Sequence, residues 1–174
     1  MKSDYLPIIL IIIVVALVGG IIYYYATMNT EFNEGEVYFQ IPGTWSQSQI
    51  VGNFNNTAYS AVTFTKEITD ANGNKYPAYI NVQSRLVNGT SFNITSLQLN
   101  VLSASNSTVS NLKINSYNIL ILSRNSPQVS NKIAVIDQGD YELLVEYICP
   151  PAAKAETEEA YNKVLSTLNI DNSA

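Results

Sequence analysis

Asp137, Asp140, Glu142 and Glu146 gather around one short stretch of this 174-residue chain. Paired carboxylates are the tools of glycoside hydrolysis, in which one acid protonates the leaving oxygen and the other acts as base or nucleophile across a cleft. Glu142 and Glu146 are evenly spaced on a stretch that reads as a strand, so they share a face with Leu144 between them. Nothing in the pattern builds a cleft there, and a solvated strand face is expected. Asp70-Ala71-Asn72-Gly73-Asn74 offers oxygen ligands at alternate positions, as a calcium loop does. An EF-hand needs glycine at position 6 and a bidentate Glu at position 12, whereas Gly73 stands at position 4 and Asn81 at position 12. A hairpin turn accounts for the segment.

Cys149 is the single cysteine, and the chain has no histidine. No intrachain disulfide can form, and Ser-His-Asp and Cys-His nucleophile systems and His-containing zinc sites are excluded. Cys149 has no histidine or nearby basic residue to activate it as a nucleophile, so it reads as a small core or edge residue. We therefore expect no enzyme activity, no catalytic residues, no cofactor and no metal. The net charge is −5 with no Lys/Arg cluster, which repels phosphate backbones and argues against nucleic-acid binding.

Two kinds of surface feature remain. Four N-x-[ST] sequons make Asn55, Asn88, Asn93 and Asn106 candidate glycan acceptors on an exported chain. Tyrosines are abundant, and aromatics on an open sheet face can bind sugars or proteins. Tyr38 is the candidate, because it should point away from Val37, Phe39 and Ile41.

The elements that must position these residues follow from hydrophobic pattern. Residues 6–22, LPIILIIIVVALVGGII, are uncharged and read as a helix of about 25 Å, close to the roughly 30 Å of a bilayer core. Tyr23, Tyr24 and Tyr25 follow at the position of an interfacial belt. Residues 1–26 are expected to be an uncleaved membrane anchor, with the lipid bilayer as partner of residues 6–22. A cleaved signal peptide fits less well, since cuts after Ala26 or Thr30 place Tyr24 or Met28 where a small residue is needed. A type IV pilin-like leader, suggested by Lys2-Ser3, stays open as the alternative. Lys2 favours a cytoplasmic N-terminus, since the next basic residue is Lys66. The remainder is expected outside a single-pass cell-membrane protein.

Residues 27–35 lack periodicity and read as a linker. Strands are expected at 36–41, 59–66 and 79–87, with the last two forming a hairpin. Residues 95–104 are ambiguous and read as a helix, 112–122 as one strand region, kinked near Ser116, and 132–136 and 141–148 as a second hairpin. Tyr161, Val164, Leu165 and Leu168 recur at i, i+3, i+4 and i+7, the mark of an amphipathic closing helix. The expected architecture is α+β: an N-terminal transmembrane helix, then a mostly antiparallel sheet packed with two helices in the order β-β-β-α-β-β-β-α.

The stretch V-Y-F-Q-I-P-G-T-W at 37–45, the hairpin I-A-V-I-D-Q-G-D-Y-E-L-L-V-E-Y at 133–147 and the helix Y-N-K-V-L-S-T-L-N-I at 161–170 together resemble the PsbP/Mog1-like family. Leu165-Ser166-Thr167-Leu168-Asn169-Ile170 is similar to that family's Leu-x-Ser-Phe-x-Ile ending, with Leu in place of Phe. The resemblance covers 36–170 and implies an α+β exterior domain, with 171–174 as a tail. It further implies a non-enzymatic binding or assembly module of a prokaryotic, archaeal cell surface, its partner an unknown envelope protein or glycan. No functional residue carries over with it.

Overall fold

Alternation of buried and half-buried side chains builds the centre of the structure, a computed structural model describing residues 6–55, 59–70, 72–86 and 107–170. Helix α1 (Leu6–Thr27) leads into β1 (Asn29–Glu34), β2 (Val37–Pro42), β3 (Ser46–Val51), β4 (Tyr59–Thr69) and β5 (Lys75–Leu86). After residue 106 come β6 (Ser107–Ile114), β7 (Tyr117–Asn125), β8 (Ser130–Asp137) and β9 (Tyr141–Cys149). A 3-10 turn (Pro151–Ala153), helix α2 (Lys154–Thr167) and β10 (Asn169–Ile170) follow. Among the described residues two sheets form, ordered β1-β2-β10 and β3-β4-β5-β9-β8-β7-β6, and every strand pairing is antiparallel. The class is α+β, with two α-helices among the described residues.

The main core lies between the inner face of the large sheet, the small sheet and α2. In β2, Val37, Phe39 and Ile41 are buried, as the alternation requires. Phe32 stacks on Phe39 with centroids 4.7 Å apart and meets Phe54 and Phe64 edge-on at 5.4 and 6.1 Å. These rings join the small sheet to the large one. Helix α2 buries Thr157, Ala160, Tyr161, Val164 and Leu165, and Lys132 of β8 is ion-paired to its Glu158. The Thr157 hydroxyl donates to Ala153 O at 2.7 Å, so Tyr147 donates the 2.7 Å bond between their hydroxyls.

Several expectations are corrected. Residues 29–34, read as linker, form β1, because Phe32 has core rings to cover and β2 offers an edge. The small sheet thus begins at residue 29. Residues 112–122 are not one kinked strand but parts of β6 and β7, separated by a turn in which Asn115 takes φ +54°. Asn tolerates that conformation better than most side chains. An unforeseen edge strand, β3, has all six residues exposed. The closing helix stops at Thr167, and Asn169–Ile170 pair with β2 instead. The helix expected at 95–104 lies outside the described residues.

In α1 every side chain described, residues 8–24, is exposed. Over those side chains alone, no helix among the described residues is long and apolar enough to cross a membrane. The α1 backbone is nevertheless helical for 22 residues, about 33 Å at 1.5 Å per residue.

The turn between β1 and β2 packs on the loop after β3. Gly35 has φ +57°, and a Cβ there would come within 2.4 Å of both Asn53 O and Asn55 Oδ1. Glu36 N also donates to Phe54 O at 3.1 Å. Gly35→Ala is therefore expected to cost about 2–3 kcal/mol through backbone strain and overpacking. Urea unfolding checks this, and a loss under about 1 kcal/mol would mean that the loop gives way.

Candidate functional site

The outer face of the large sheet, opposite α2, carries a row of polar side chains. Strand alternation sends Arg85 of β5, Glu142 of β9, Asp137 of β8, Asn118 of β7 and Lys113 of β6 to this face. Register aligns them: Lys113 lies opposite Asn118, Asp137 opposite Glu142, and Glu142 opposite Arg85. Beside this row runs an apolar strip of Leu120, Leu122 and Val135, with Val109, Ile133 and Leu144 packed on it. Strands β5 and β6 run in the same direction on either side of β9, β8 and β7.

An open cleft of ≈ 1020 Å³ lies where row and strip meet, lined among the described residues by Asn111, Lys113, Asn118, Leu120, Val135, Asp137 and the Gln138–Gly139 turn among others. It offers three amides, an ammonium and a carboxylate around an apolar floor. That set can bind a hydroxyl-rich or mixed polar ligand by hydrogen bonds. Among the described residues, no group of three acidic, His or Cys side chains is placed to hold a metal.

Glu142 differs from its expected solvated position. Its side chain is only 2% exposed, and Arg85 donates to Oε2 from both Nε and Nη2 at 2.7 Å. Its Oε1 is buried with no hydrogen-bond partner. Burial raises its carboxyl above the ordinary range, Arg85 opposes that, and Asp137 adds to it. Glu146, on the same face as expected, is half-buried and accepts from Asn131 Nδ2 at 3.0 Å. Each carboxylate thus has its own structural partner.

The other sequence candidates lie apart. Tyr38 is half-buried on β2, away from the core as expected; its hydroxyl donates to Glu31 Oε1 at 3.1 Å and accepts from Gln40 Nε2 at 3.0 Å. It belongs to the small sheet and does not line the cleft. Asn55 is exposed, while Asn88, Asn93 and Asn106 lie outside the described residues. The Asp70 carboxylate accepts from Asn72 N and Asn74 N at 2.8 Å and from Asn74 Nδ2 at 3.0 Å. Those bonds, that from the Asn74 side chain foremost, hold its pKa below the usual range. Its oxygens serve the turn itself. Cys149 is fully buried. Sequence reading missed Asn111, Lys113 and Asn118 as a group; the available signal was their alternation on either side of the Asn115-Ser116 turn.

No family model matches the chain, and no curated protein matches it in sequence. Solved structures do match its fold. A Bacteroides thetaiotaomicron protein matches at TM-score 0.54 and 10% identity, over 82% of this chain and 48% of that one. The chain thus spans about half the length of that protein. A Pseudomonas aeruginosa protein of unknown function matches at TM-score 0.50 and 14% identity, over 83% of this chain and 99% of its own. Cyanobacterial PsbP from Synechocystis matches at TM-score 0.50 and 10% identity, over 84% and 94%. At such identities the likeness shows fold alone, and the fold is PsbP/Mog1-like.

Proposed function

We propose that the chain is a single-pass membrane protein whose PsbP-like domain stands outside the cell as a non-enzymatic binding module. The observation that carries this is α1. Its described Ile, Leu and Val side chains are 49–65% exposed on all sides. A soluble helix buries one apolar face, whereas one that is apolar all round belongs in a protein core or a bilayer. The tyrosines at its end suit the interface. The cleft on β6–β8 is the assigned ligand face, and its amides and charges suit an envelope glycan or a polar loop of an envelope protein.

The full chain is expected to fractionate with membranes, resist alkaline carbonate, and lose its domain to protease added to intact cells. Release by carbonate would sink the anchor reading. An intact mass short of the first three residues would favour the filament-subunit alternative, in which α1 packs in a fibre core.

A further inference from the structure

We infer that the domain sits directly on the lipid surface, with its Pro42–Trp45 turn in the headgroup layer and no stalk beneath it. This rests on the reading of α1 as a membrane helix.

Only Met28 separates α1 from β1. It belongs to both elements: its N–H donates to Tyr24 O at 3.0 Å, continuing the helix, and its carbonyl accepts from Gly43 N at 2.7 Å. Trp45 N in turn donates to Pro42 O at 2.9 Å. Asn29 lies opposite Pro42, so the turn is fixed beside the helix end. Met28 stands one helical turn beyond Tyr24, about 6 Å along the axis. With the tyrosines at the edge of the hydrocarbon, Met28 falls within the headgroup region, which adds roughly 5–8 Å on each side of the core. Pro42 to Trp45 must then lie at that level.

Charge agrees with the placement. Residues 23–30 and 41–50 contain no Asp, Glu, Lys or Arg. Glu31, the nearest acid, lies opposite Gln40 and accepts from the Tyr38 hydroxyl, while Glu34 and Glu36 sit at the opposite end of the β1–β2 hairpin, where Glu34 faces Val37. That is about 17 Å from the Asn29–Pro42 pair at 3.4 Å per residue. The end nearest the helix is therefore polar, uncharged and partly apolar, with Met28 44% exposed. Such a rim meets headgroups without repelling anionic lipid. One consequence is reach: the domain meets ligands lying close to the membrane.

Trp45 is the single tryptophan and its ring is buried in the core beside this turn, so its emission reports the depth of the turn. The full chain is reconstituted in phosphatidylcholine vesicles with bromines high or low on the acyl chains. Trp45 emission is expected to fall relative to unbrominated vesicles, and more for bromines placed high. Inserting a flexible Gly-Ser spacer between Thr27 and Asn29 is expected to relieve the quenching. Unquenched emission from protein that still floats with the vesicles overturns the proposal and leaves the anchor standing. So does quenching that the spacer leaves unchanged. Protein that fails to float overturns the anchor reading itself.

Discussion

Phe39→Ala is expected to lower the unfolding free energy by about 3–5 kcal/mol. Phe39 is fully buried on β2, stacked on Phe32 at 4.7 Å and edge-on to Phe64 at 5.8 Å. Truncation removes its transfer free energy, leaves a cavity, and deletes two ring pairs worth about 0.5–1.5 kcal/mol each. The cavity cannot close easily, because Phe32 and Phe64 come from different sheets and each is held by its own strand pairing. The small sheet should loosen first. Urea unfolding of the detergent-solubilised chain, followed by Trp45 fluorescence, measures the loss. A change below about 1 kcal/mol would show that the ring cluster does not hold the two sheets together.

Arg85→Leu should cost about 2–3 kcal/mol at pH 7, below the usual cost of breaking a buried pair because the Arg85 side chain is 36% exposed. The substitution leaves Glu142 buried with Oε2 unpaired as well as Oε1. The cost should shrink on acidification. The folded-state pKa of Glu142 is already raised by burial, with Arg85 opposing the shift. The folded state therefore holds this proton more tightly than the unfolded state does. The resulting stability is fully present below the ordinary Glu range and is lost as pH rises through the raised folded value. Removing Arg85 moves that folded value further up and widens the window. Urea midpoints across pH 5–8 are the measurement, and Glu142→Gln is the control that should remove the Glu142 contribution to the slope. An equal loss for Arg85→Leu at both ends of that range would refute the account.

These two sites also mark what was legible. The burial of Phe39 could be read from V-Y-F-Q-I-P, because a strand with one wet face must alternate. The face shared by Glu142 and Glu146 followed from the same rule. The burial of Glu142 did not, because its partner Arg85 lies 57 residues away and meets it only through the β5–β9 pairing. Strands β1 and β3 were missed for a related reason. N-T-E-F-N-E buries one residue and S-Q-S-Q-I-V none. Neither carries a hydrophobic period, and each forms because a neighbouring strand offers it an edge.

The cleft shows the same division. Alternation assigned side chains to faces, but the hairpin at Asn115-Ser116 was needed to bring Lys113 opposite Asn118. The Tyr117 hydroxyl accepts from Ile170 N at 2.9 Å and donates to Ile170 O at 3.1 Å, clamping the last strand. That clamp joins residues 53 apart and has no local trace.

By itself the sequence determined the apolar α1, the buried face of β2, the β4–β5 and β8–β9 hairpins and the amphipathic face of α2. It also ruled out histidine chemistry, since the chain has no histidine. All of these are set by composition or by the period of a single segment. The tertiary structure alone decided that Met28 joins helix to sheet without a linker, that Arg85 shelters Glu142, and that the strand order places a polar row beside an apolar strip. Each depends on pairing between distant segments, which is fixed by the packing of the whole sheet and not by local periodicity.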